Sequence, residues 1–103
     1  MKRIAAIVFF TFLFCSRLLA QDNDLQLAKQ YTTNGELQKA LDIYQKLYKK
    51  DNDTYFTYYI SGLLGLKKFE EAESVTKKML RKHPGDYQYS IALGRIYTQK
   101  GET

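Results

Sequence analysis

The sequence predicts an all-α chain of stacked helix pairs, and three observations carry that reading. Glycine, proline and Asn/Asp breaks cut residues 21–103 into pieces of about 12 to 17 residues, helix length rather than strand length. Within each piece the apolar residues recur at three- and four-residue steps, the spacing of one helix face. The breaks and the small residues also recur along the chain, the signature of a repeat architecture. At 103 residues the chain has room for one short domain. A hydrophobic fraction of 45% and a mean hydropathy of −0.44 argue against both disorder and a multi-span membrane protein.

The first twenty residues read separately from the rest. Met1-Lys2-Arg3 is a basic start, Ile4 to Cys15 is apolar except for Thr11, and Ala20 precedes the polar run Gln21-Asp22-Asn23-Asp24. This is the pattern of a secretory signal peptide cleaved after Ala20. The apolar stretch is shorter than the roughly 20 residues a membrane span needs, so no transmembrane span is expected in the mature chain. Phe14 before Cys15 is too large for lipoprotein processing, which argues against a lipid anchor at that cysteine. Export to a periplasm or cell envelope is the expected localisation. The mature chain would then contain no cysteine, hence no disulfide and no thiolate chemistry. The net charge of +5 includes Lys2, Arg3 and Arg17. Without them 13 basic residues face 11 acidic ones, an ordinary balance that gives no reason to expect nucleic acid.

The elements follow in order. Leu27, Ala28 and Tyr31 share a helical face before the break at Asn34-Gly35. Leu37, Ala40, Leu41, Tyr44, Leu47 and Tyr48 form a stripe that ends at Asp51-Asn52-Asp53. Thr54 to Ile60 has strand-favouring composition, but Tyr59, Gly62, Leu63 and Leu66 are helix-spaced, and a helix is expected there. A weak break at Lys67-Lys68 precedes the stripe Phe69, Ala72, Val75, Thr76, Met79 and Leu80. Glu70, Glu71 and Glu73 open that helix and Lys77, Lys78, Arg81 and Lys82 close it, as the helix dipole favours, with Glu73 placed to pair with Lys77. After His83-Pro84-Gly85-Asp86 the last face is Ser90, Leu93, Gly94 and Tyr97. Asp53 and Asp86 are the expected N-caps.

Leu93-Gly94-x-x-Tyr97 and its near copy Leu27-Ala28-x-x-Tyr31, with Ala40-x-x-x-Tyr44, the looser Ala72-x-x-x-Thr76 and Pro84, carry a resemblance. The chain resembles the tetratricopeptide repeat family across residues 21–103. The resemblance implies an α–α superhelix, with repeat one at 21–54, repeat two at 55–86 and part of a third at 87–103. The starts are 34 and then 32 residues apart. The sequence departs from the family pattern where Asp24, Tyr58 and Ser90 replace its tryptophan, Gly65 replaces its tyrosine, and Asn52 replaces the proline ending repeat one. Ala28, Gly62 and Gly94 are expected where the first helix of each pair meets its partner, because small residues let helix axes approach to about 8–10 Å. Because the third repeat lacks its second helix, the chain is expected to be the N-terminal part of a longer protein.

No constellation for catalysis emerges, and no enzyme activity, cofactor or metal is expected. His83 is the single histidine and reads as a structural residue at a helix end. Asp51-Asn52-Asp53 starts like a calcium loop but has Phe56 where that loop needs glycine. Lys77, Lys78, Arg81 and Lys82 read as a solvated face balanced by the glutamates. What remains is a surface. The resemblance implies a concave groove lined by the first helix of each pair, and its candidate partner-binding residues are Leu25, Lys29, Phe56, Tyr59, Leu63, Ile91 and Arg95. An apolar centre between two cations suits a protein or peptide with apolar anchors and an acidic flank. The family's carboxylate clamp pairs Lys with Asn, which Leu25 and Lys29 do not reproduce. The expected function is a non-catalytic protein–protein interaction scaffold of the cell envelope. The alternatives are a cell-wall carbohydrate-binding module, its nine tyrosines stacking on sugars, and a positioning region for a further C-terminal domain.

Overall fold

The computed structural model describes residues 23–101, so the signal peptide expected over 1–20 lies outside the described residues. Among those described, the chain is all-helical: α1 over 23–33, α2 Leu37–Lys50, α3 Asn52–Gly65, α4 Phe69–Lys82 and α5 Tyr87–Lys100. Short turns reverse the chain between helices, and each of α3, α4 and α5 packs on the helix before it. This is the all-α hairpin stack the periodicity predicts. The strand-like composition of 54–60 is overridden because its aromatics find helical partners on α2 and α5.

The turns explain where the helices stop. Gly35 takes the left-handed conformation at φ +82°, with its N–H on the Thr32 carbonyl and the Glu36 N–H on the Tyr31 carbonyl. That is a Schellman closure. The weak break after α3 is the same device without the glycine: Lys67 stands at φ +57°, its N–H on Leu64 O and the Lys68 N–H on Leu63 O. Gly101 closes α5 at φ +89°.

Helix starts follow the capping rule with one correction. Asp86 accepts from the Gln88 N–H at 3.1 Å, as expected. The cap of α3 is Asp51 and not Asp53: Asp51 Oδ1 accepts from the Thr54 N–H at 3.2 Å and Oδ2 from its hydroxyl at 2.7 Å. The helix starts at Asn52, so the break read over three residues is the single residue Asp51. Asp53 is left in the first turn, where its carboxylate faces His83 Nε2 at 3.1 Å and Tyr89 Oη at 3.4 Å.

The core is built on the α2, α3 and α4 stripes. Ala40, Leu41, Tyr44 and Leu47 of α2 are buried, as are Phe56, Tyr59, Ile60, Leu63 and Leu64 of α3 and Ala72, Thr76 and Met79 of α4. Thr76 is fully buried because its hydroxyl donates to the Ala72 carbonyl one turn back, at 2.7 Å. Two ring pairs join α2 to α3: Tyr44 stacks on Tyr58 with centroids 5.7 Å apart, and Tyr48 lies against Tyr59 at 4.9 Å. Glu73 and Lys77 form the expected pair at 2.8 Å, and Tyr97 donates to the same carboxylate at 2.9 Å. Those bonds, that from Lys77 first, hold the Glu73 carboxyl below its usual range.

Two expectations about packing change. The close approach at Gly62 is to α2, the second helix of the preceding pair. A β-carbon there would lie 3.2 Å from Leu41 Cδ1 and 3.3 Å from Tyr44 Cδ2. Gly94 has open space around it. Thirty-two residues after Leu41 and Tyr44, α4 has Glu73 and Thr76. A polar chain turned to Tyr97 and a short one leave the helices less tightly interlocked. In α5 the buried residues are accordingly Tyr89 and Ile96, not the expected Ser90, Leu93, Gly94 and Tyr97 face.

Candidate functional site

The seven groove residues divide three ways. Phe56, Ile91 and Arg95 line one concavity together with Thr57, Ile60, Gln88 and Ala92, a space of about 210 Å³ between α3 and α5. Phe56 and Ile60 form its buried floor, with Phe56 held edge-on to Tyr89 at 4.8 Å between centroids. Ile91 stands at the rim, 71% exposed. Arg95, also exposed, supplies the positive charge. The groove therefore has a fixed apolar base, an unpaired apolar anchor and a cationic end, from α3 positions 56, 57 and 60 and α5 positions 88, 91, 92 and 95.

The other four lie elsewhere. Tyr59 and Leu63 are buried in the core, and neither lines this concavity. Tyr59 turns to the opposite face, where it meets Tyr48. Leu25 is half-buried against the core on α1. Lys29 is exposed, with its ammonium 5.4 Å from the centre of the Tyr58 ring. Neither residue of α1 lines the α3–α5 concavity.

Thr57, Ile60, Gln88 and Ala92 were not singled out from the sequence. Their signal was the helical spacing itself. On α5, 88, 91, 92 and 95 follow the i, i+3, i+4, i+7 pattern, and on α3 Ile60 is one turn from Phe56.

His83 sits at the end of α4. Its ring stacks on Tyr89 at 5.7 Å, and with Asp53 the three groups join the start of α3, the end of α4 and the start of α5. Burial, with Asp53 and Asp86 nearby, raises the Tyr89 phenol above its ordinary value and keeps it a donor. Among the described residues no group of three or more His, Cys, Asp or Glu stands ready to hold a metal, and no helix is long and apolar enough to cross a membrane. Of the described tyrosines, Tyr87 is the large exposed ring, at 80%.

Comparison with known proteins agrees with a repeat architecture. No family model matches the chain, and no solved structure matches it. Over 67 residues, 65% of this chain, it is 34% identical to a mitochondrial pentatricopeptide repeat-containing protein of Arabidopsis thaliana. The chain spans 10% of that protein's length. Among the described residues five helices follow one another as hairpins, the architecture of a helical-hairpin repeat stack, and the likeness over those 67 residues agrees with it.

Proposed function

We propose that the chain is a non-catalytic interaction scaffold of the cell envelope that holds an extended protein segment in the α3–α5 groove. The observation that carries this is Ile91, exposed beside the apolar floor of Phe56 and Ile60 and within one turn of Arg95. An apolar side chain of the partner fills the space beside Ile91, and a carboxylate on its flank meets Arg95. Export rests on the N-terminal sequence, with its basic start, apolar stretch and Ala20 junction.

Immobilised full chain, challenged with a library of extended peptides, should retain those with an apolar anchor followed by Asp or Glu. Ile91→Asp should abolish retention, and Arg95→Glu should reverse the flank preference toward basic residues. Equal retention by both variants would remove the groove from the function. The likeness to a repeat protein does not exclude nucleic acid, so single-stranded RNA belongs in the same assay. Binding there with a steep salt dependence would replace the peptide reading.

A further inference from the structure

The face opposite the groove carries a second concavity. It lies between α2 and α4, measures about 380 Å³, and is lined by Gln45, Tyr48, Lys49, Asn52, Tyr59, Val75, Lys78, Met79 and Lys82. Three ammonium groups border it, Lys49 from α2 and Lys78 and Lys82 from successive turns of α4. Asn52 is fixed between the helices. Its amide donates to the Tyr48 carbonyl at 2.7 Å, and its carbonyl accepts from Lys82 at 3.4 Å. Among the described residues neither Lys49 nor Lys78 is paired with a carboxylate.

The helix dipole accounts for Lys49 and Lys82, which sit in the last turns of their helices. It does not account for Lys78, a turn earlier, nor for Asn52 held in the same cleft. Like charges one turn apart repel, and a compact anion carrying two charges relieves that repulsion better than a single carboxylate. The side chains of Tyr48 and Tyr59 line the same space. Burial first, then neighbouring groups that include Asp53 for Tyr48 and Glu71 for Tyr59, raises both above the ordinary phenol value, so they stay protonated and able to donate.

We propose that the cleft between α2 and α4 binds a phosphate-ester dianion, held by Lys49, Lys78 and Lys82. Lysine is a point-charge phosphate binder.

The test uses the full chain, isotope-labelled, with inorganic phosphate as the first probe. Saturable shifts at Lys49, Asn52, Lys78 and Lys82 are expected. Binding should tighten from pH 6 to pH 8, because inorganic phosphate gains its second negative charge over that range. Lys78→Gln with Lys82→Gln should weaken binding at least tenfold, while Lys46→Gln with Lys50→Gln leaves it unchanged. A circular dichroism spectrum equal to the parent's shows that each variant is folded. Vesicles of phosphatidylcholine with phosphatidic acid form the second arm: co-sedimentation lost in the Lys78/Lys82 variant marks a lipid headgroup as the source, and its absence beside saturable phosphate binding marks a free phosphate ester. Non-saturating shifts spread over all lysines, or equal binding by both double variants, would overturn the proposal. The peptide assay on Ile91 and Arg95 reads the opposite face, so the two can fail independently.

Discussion

At the scale of single residues, three positions put a backbone or packing rule to a clean test. Lys67 holds the left-handed turn position that Gly35 holds in the preceding hairpin, with the same hydrogen-bond closure. A side chain there costs about 1 kcal/mol relative to glycine. Lys67→Gly should therefore raise the urea midpoint and stabilise the fold by about that amount. Gly62 and Gly94 should part company. Alanine at Gly94 meets open space and should gain about 0.5–1 kcal/mol in helix propensity. Alanine at Gly62 meets Leu41 and Tyr44 inside ordinary contact distance, and the overpacking should cancel or exceed that gain. Thermal melts of the two variants decide it; equal stabilisation at both would mean α2 and α3 are not interlocked there.

At the scale of elements, helix ends depend on carboxylates. The Asp51 carboxyl is held below its ordinary 3.8 chiefly by the Thr54 hydroxyl and then its N–H, and the Asp86 carboxyl by the Gln88 side chain and then its N–H. Both groups titrate lower folded than unfolded. Their stabilisation is thus complete above about pH 4 and is lost as pH falls through the lower folded values. Asp51→Asn and Asp86→Asn should each reduce the loss of helicity between pH 4 and pH 2, measured by circular dichroism, because the amide still caps but does not protonate there. A parent-like acid transition in the double variant would show that other carboxylates, Glu73 foremost, control it.

Which features were legible also divides by element. The stripes of α2 and α4 could be read because one face is apolar and the other is charged, so spacing alone fixes the phase. Helix α3 is apolar nearly all round, from Tyr55 through Leu64. Spacing then allows either Phe56, Tyr59 and Leu63 or Phe56 and Ile60 as a shared face, and only packing against Tyr48 and Tyr89 decides that Tyr59 turns away from the groove. In α5 the pattern Leu93-Gly94-x-x-Tyr97 drew attention to one face, while Tyr89 and Ile96 held the core. Asp53 looked like the cap because it precedes the aromatic run, but the capping geometry requires the carboxylate three residues before Thr54, which is Asp51.

At the scale of the whole molecule, stability in a stack of hairpins is a sum of neighbour terms. Those terms are unequal here. Two ring pairs, the Gly62 approach and a one-residue turn join α2 to α3, whereas α5 meets α4 through the Tyr97–Glu73 hydrogen bond. Amide hydrogen exchange should accordingly be slowest in α2 and α3 and fastest in α5, in graded steps. A single exchange rate for all helices would show one cooperative unit instead of a stack.

The single residue joining α2 to α3 also has a mechanical consequence. With Asp51 alone between them and its side chain committed to the next turn, that corner has almost no slack. The connection from His83 to Asp86, between α4 and α5, is the longer corner. The space beside Ile91 lies between α3 and α5, so a change of angle at that longer corner would change its width.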